Sequence, residues 1–260
     1  MKKKVLNILR FIALAIFAIF IAAGSIFAIV KTAEEHNILK INNVNITIHR
    51  SGNIIYMQQK DVENYLYNQR KISLIGEKIS EINANYIEKL LNENPYVKHS
   101  EVYAALDGTI YLDIEQRNPA VKIYNMYGEI FNIDNEGIIM PNNPEYPAHI
   151  RIANGKIAAR HHNGDTAKNI LHNIFLLSEH LSEDTVTDAL VEQLYVNSKN
   201  NIILVPKIGE IAIVFGKITD MKKKTKKIKD FYTAVPSFNA DGKYRLLDAR
   251  FENQIIGILK

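Results

Sequence analysis

The chain has no cysteine. Disulfides, thiol nucleophiles and cysteine-bound metals are therefore excluded, and an oxidising compartment is permitted. Net charge is slight, +4 over 260 residues at pH 7, too mild to imply a nucleic-acid partner by itself. The short motifs of common chemistries are missing. No G-x-S-x-G, S-x-x-K, P-loop or H-E-x-x-H run occurs, so nothing announces an activated serine, a phosphate cradle or a zinc protease. Internal repeats and low-complexity tracts are also absent. Isoleucine, asparagine and lysine are abundant, and the length suffices for one or two small domains with cores.

One apolar run stands out. Phe11 to Val30 carries no charge, and as a helix it would rise about 30 Å, the hydrocarbon thickness of a bilayer. Lys2, Lys3, Lys4 and Arg10 precede it, whereas Lys31 is soon offset by Glu34 and Glu35. The positive-inside rule then predicts a cytoplasmic tail over 1–10, a transmembrane helix over 11–30 and everything later outside the cytoplasm. A cleaved signal peptide is the alternative, with Ala22-Ala23-Gly24 as small residues. A signal core of about 7–15 residues is shorter than this run, which favours a single-pass anchor. No second span follows.

Residues 31–37 read as a polar linker, and 38–117 as a small α+β unit of order strand, helix, helix, strand, strand. Val44, Ile46 and Ile48 alternate as a strand should; Val62, Tyr65 and Leu66, then Ile87, Leu90 and Leu91, fall at helical spacing. Asn83 is placed to cap the second helix. Pro95 stops it, and the period changes to two. Asp107-Gly108 marks a hairpin. A three-residue loop over Asp107, Gly108 and Thr109 would pair Leu106 with Ile110, Ala104 with Leu112 and Val102 with Ile114, and so put all six on one buried face.

The run Asn94-Pro95-Tyr96-Val97, a later Val102, the turn, the Ile110-x-Leu112-x-Ile114 strand and Arg117-x-Pro119 together resemble the end of a POTRA domain. More narrowly they resemble the POTRA domain of the FtsQ/DivIB family of bacterial division proteins. Gln116 stands where that family usually has glutamate. Residues 118–260 read as a β-rich domain with two helices, over 164–181 and Met221 to Ala234, ending in strands Tyr244 to Phe251 and Gln254 to Leu259. The Asp134-x-Glu136-Gly137 turn resembles the start of the family's second domain.

Other features are weaker. His161, His162, Asp165 and His172 match no standard ligand spacing, so no metal is expected. Asp113, Glu115, Asp134 and Glu136 fall on strand faces or turns, where solvation is the default. No catalytic residue and no cofactor are expected, and a cell-wall enzyme using acids or His161/His162 is the minor alternative. The lysines from Lys222 to Lys229 read first as a solvated helix face. Lys222, Lys223 and Lys226 are the sharper candidate, a basic patch for an acidic partner or anionic headgroups.

The resemblance implies a non-catalytic scaffold of the divisome in the cell inner membrane, with its bulk periplasmic. Implied partners are FtsB- and FtsL-type bitopic coiled-coil proteins and the septal peptidoglycan synthesis machinery. A POTRA-type chaperone module of secretion or outer-membrane assembly is the other class; it would carry a downstream barrel or further POTRA repeats. The last strands are the expected docking site. Ile255 to Leu259 would form a sheet edge, and an apolar edge exposes backbone groups that a partner strand can complete. Leu247, Arg250, Phe251, Ile255, Ile256, Gly257 and Ile258 are its candidate residues, with Phe251 as anchor, Arg250 as charge contact and Gly257 allowing close backbone approach.

Overall fold

The computed structural model describes residues 16–27, 39–52, 54–158, 162–207, 211–234 and 244–260. Helix α1, residues 16–27, is apolar and exposed on every side. It lies inside the expected membrane span, whose two ends, the basic tail and the linker fall outside the described residues. Among the described residues no helix is long and apolar enough to cross a membrane.

The rest divides into two compact units, one of residues 1–48, 59–91 and 100–114, the other of 49–58, 92–99 and 115–260. The first contains helices α2 (Gln59–Asn64) and α3 (Ala84–Asn92). Its three-stranded sheet has the order β1-β3-β2, from β1 (Asn43–His49), β2 (Val97–Ala104) and β3 (Thr109–Gln116). Helix α2 runs into a π-helical turn, Tyr65–Gln69, closed by the Arg70 amide on the Tyr65 carbonyl at 3.0 Å. The Tyr65 hydroxyl donates to the Leu90 carbonyl at 3.0 Å and accepts from the Arg70 guanidinium at 2.6 Å. That buried pair ties the turn to α3. Asn83 does cap α3, its side-chain oxygen accepting from the Tyr86 amide at 3.0 Å.

The hairpin corrects the expected register. The Ala105 amide donates to the Thr109 carbonyl at 2.8 Å and the Gly108 amide to Ala105 at 3.2 Å, so the loop is Leu106, Asp107 and Gly108. Relative to the expected pairing, the strands slide by two residues. Ile110, Leu112 and Ile114 are buried with Val102, but Ala104 is exposed and Leu106 lies at the loop with 71% of its surface in solvent. The reason is Gly108. Its φ of +85° suits a left-handed loop residue, and a Cβ there would stand 2.9 Å from the Lys40 carbonyl oxygen. A one-residue shift of the loop would put a threonine in that place.

The second unit is built on a nine-stranded sheet of order β12-β11-β10-β9-β8-β7-β4-β5-β6. Its strands are β4 (Pro119–Tyr124), β5 (Ile130–Asp134), β6 (Ile139–Pro141), β7 (Arg151–Gly155), β8 (Val191–Val196), β9 (Ile202–Pro206), β10 (Ala212–Gly216), β11 (Tyr244–Asp248) and β12 (Ile256–Leu259). Neighbours β7 and β8 are parallel, and so are β10 and β11. Parallel neighbours need a crossover. Helices α4 (Asn169–Ser182) and α5 (Thr185–Leu190) make the first, and α6 (Met221–Ala234) the second. Both crossovers step the same way along the sheet. Given the right-handed rule they cover the same face, and one buried cluster joins Leu171, Ile174 and Leu177 of α4 to Ile228 of α6 and to the strands.

Two expectations change here. Helix α5 adds to the two helices foreseen, capped by Asp184, whose side chain accepts from the Val186 amide at 2.9 Å. Residues 164–168 do not belong to α4. Gly164 and Ala167 donate backbone bonds to Ile139 and Gly137 at 2.7 Å each, so the segment pairs with the β6 region and the helix starts at Asn169.

Candidate functional site

Among the described residues, strand β12 is the outermost strand of the large sheet and pairs with β11 alone. All four of its residues are exposed. Register decides which way they point. Leu247, fully buried, faces Gly257, so Gly257 lies on the helix-covered side. Leu246 faces Ile258 and Asp248 faces Ile256, so both isoleucines lie on the open side of the sheet. That side continues as Val214, Ile203 and Tyr195 on successive strands, all half-buried or exposed.

The expected docking residues therefore separate. Phe251, Ile256 and Ile258 are accessible, at 45%, 37% and 39% exposure. Leu247 is core and offers no side-chain surface. Ile255 packs partly against the core. Beside Gly257 the space is taken by the Tyr244 ring: a Cβ there would stand 2.5 Å from Cε1 of that ring. An aromatic ring covering a glycine on the neighbouring strand is a packing device of the sheet itself. Tyr244 in turn meets Phe231 of α6 edge-on at 6.2 Å.

Arg250 is committed to Asp248, with Nη2 2.6 Å from Oδ2 and Nε 2.9 Å from Oδ1. This two-bond contact holds the Asp248 carboxyl below the usual carboxylate range, against the opposing push of burial. It also raises the guanidinium's pKa above its ordinary value. Arg250 thus sets the shape of the connection from β11 to β12 and presents its outer edge to solvent.

The lysine run of α6 resolves into separate jobs. Lys224 is buried, donates to the Lys217 carbonyl at 2.8 Å and sits 5.0 Å from the Phe215 ring centroid; burial pushes its pKa down. Lys229 pairs with Asp184 of α5. The Lys227 ammonium donates to the carbonyls of Ala249 at 3.1 Å, Gln254 at 3.4 Å and Phe251. Of the three patch candidates, Lys226 bridges Asp230 at 2.7 Å and Lys223 bridges Glu252 at 3.6 Å, while Lys222 is exposed. Sequence reading passed over Lys227 because a run of like charges hides which lysine faces inward; only its spacing of one from buried Ile228 was a signal.

Among the described residues no group of three or more His, Asp or Glu is placed to hold a metal. His161 lies outside them. His162 and Asp165, 3.6 Å apart, are well exposed, and His172 rests against Phe175.

Comparison with known families places the chain. A family model described as FtsQ/DivIB, C-terminal related, matches residues 118–257, more than half of the chain. The chain belongs to the FtsQ/DivIB family. A POTRA-like domain model matches residues 40–115, so this FtsQ/DivIB chain couples a POTRA-like domain to the family's C-terminal domain. No curated protein matches it. Family membership makes it a cell-division-related chain, and the C-terminal match ends at Gly257, partway through β12.

Proposed function

We propose that this chain is a non-catalytic scaffold of the bacterial divisome, anchored by residues 11–30 in the cell inner membrane with its bulk in the periplasm. It recruits FtsB/FtsL-type bitopic partners and through them the septal peptidoglycan synthesis machinery. One observation carries the reading: an apolar strand, β12, ends a nine-stranded sheet, and among the described residues no other strand matches its outer edge. Such an edge favours strand addition, in which main-chain bonds give affinity and alternate side chains give specificity. Ile256 and Ile258 would border the incoming strand, with Phe251 as anchor. Anchoring in the membrane supports the mechanism, because it confines both partners to one plane and raises their effective concentration.

Capture of the FtsB-type ectodomain from the same genome, by the full chain in nanodiscs, tests the proposal. Deleting residues 254–260 should abolish capture while the POTRA-like unit stays folded. Undiminished capture by the truncated chain would move the site elsewhere, first to Lys222, Lys223 and Lys226. Topology is tested separately. A reporter fused after Lys260 that matures only outside the cytoplasm should be active, and activity of a cytoplasm-only reporter would overturn the orientation.

A further inference from the structure

Strand β12 is short, exposed along its length and, among the described residues, paired on one side only. A four-residue edge strand takes ladder bonds from one neighbour and buries little side-chain surface, so contacts beyond the ladder matter for its order. The connection from Ala249 to Ile255 has no regular backbone pairing of its own. Its start is fixed by the Ala249 amide on the Val214 carbonyl at 3.0 Å and by the Asp248–Arg250 contact. Its middle and end are fixed by one group, the Lys227 ammonium, which takes the carbonyls of Ala249, Phe251 and Gln254. An ammonium has three N–H donors, and here three carbonyls converge on it.

Lys227 is itself held firmly. The residues beside it on α6 are rooted: Ile228 is buried in the core, Lys224 in the Lys217 carbonyl and Lys229 on Asp184. Two neighbouring cations are engaged elsewhere. Arg250 is spent on Asp248, and Lys223 meets Glu252 at 3.6 Å with both ends largely in solvent, a contact of little worth.

We infer that Lys227 is a positioning residue for the docking edge. Its ammonium ties the connection to α6, presents Phe251 and keeps β12 extended and in register before a partner arrives. Binding then forgoes part of the ordering cost that a frayed strand would impose. The inference rests on the strand-addition reading above, and adds the residue that prepares the site.

Lys227→Met keeps the aliphatic stem and removes the ammonium; Lys227→Arg restores a charged donor. In the full chain in nanodiscs, Lys227→Met should speed hydrogen exchange of those amides of residues 256–259 that bond to β11 about tenfold or more, in line with the loss of charge-assisted bonds. It should weaken capture of the FtsB-type ectodomain by about tenfold while amides of β8 and β9 keep their protection. Lys227→Arg should recover part of both, and Lys222→Gln with Lys226→Gln should change neither. Unchanged exchange at 256–259 in Lys227→Met overturns the inference even if binding falls. Accelerated exchange with unchanged affinity also overturns it, since the strand would then need no preparation. A failure of the strand-addition reading shows differently: the 254–260 deletion would still capture the partner, whatever Lys227→Met does to exchange.

Discussion

Gln116 is fully buried, and its amide does work that glutamate could not. Its carbonyl oxygen accepts from the Tyr56 and Met57 amides at 2.7 and 3.0 Å, and its Nε2 donates to the Ile54 carbonyl at 3.1 Å. A carboxylate could accept the first two bonds but would set a charged oxygen against the third carbonyl. Gln116→Glu should therefore destabilise the second unit by about 1–3 kcal/mol in denaturant titrations at neutral pH. The loss should shrink on acidification, when the neutral acid regains a donor; a loss independent of pH would contradict the account. Asp248 gives the opposite sign. Its carboxyl is held low by Arg250, so the contact's contribution is present above the unfolded aspartate pKa and is lost as pH falls through the depressed folded value. Protection of those amides of residues 256–259 that bond to β11 should fall across that acid window in the wild type, and Asp248→Asn should show reduced protection throughout with no such step. Neither role was legible in the sequence. The partner amide of Tyr56 lies sixty residues from Gln116 in the chain, and nothing local sets Asp248 apart from the other acids.

At the scale of elements, periodicity carried most of the information. The alternation of Ile110, Leu112 and Ile114 and the spacing of Ile87, Leu90 and Leu91 identify their buried faces, because burial repeats with the backbone period. What failed was where elements begin and stop. The hairpin loop shifted because Gly108 supplies a positive φ beside the Lys40 carbonyl, a tertiary contact invisible in local pattern. Residues 164–168 continue the apolar rhythm of α4, yet their backbone bonds go to Gly137 and Ile139. Helix α5 is a single capped turn and a half, too short to show a period. The shifted hairpin makes a paired prediction. Leu112→Asp buries an unpaired charge at a site with 1% exposure and should leave the POTRA-like unit protease-sensitive. Leu106→Asp, at the loop, should change stability by less than about 0.5 kcal/mol. Equal sensitivity of the two variants would restore the pairing of Leu106 with Ile110.

At the scale of the whole molecule, the order of elements was readable, and the compact packing units run across the sequence boundary. The C-terminal family match begins at residue 118, but the second compact unit also takes in residues 49–58 and 92–99. Tyr56 shows why. It is fully buried in that unit, its ring edge-on to Tyr96 at 5.5 Å. Its hydroxyl accepts from the Asn143 amide at 2.9 Å and from the Asn132 side chain, and its carbonyl accepts from Asn143 Nδ2 at 3.2 Å. Burial outweighs those bonds and raises the phenol's pKa, so the ring stays neutral at any physiological pH. A fragment of residues 118–260 keeps Asn132 and Asn143 but loses the tyrosine that accepts from the Asn132 side chain and the Asn143 amide. Losing a buried aromatic costs about 3–5 kcal/mol, and in a domain of this size each kcal/mol moves the melting point by about 2–4 °C. The fragment should therefore melt about 10 °C below the second unit of the full chain, by calorimetry on both. Tyr56→Phe in the full chain should fall between them, since it keeps the ring and gives up only the hydroxyl's bonds. A fragment that melts with the intact protein would mean that residue 118 is a true boundary and that the buried Tyr56 contacts add nothing to the C-terminal domain.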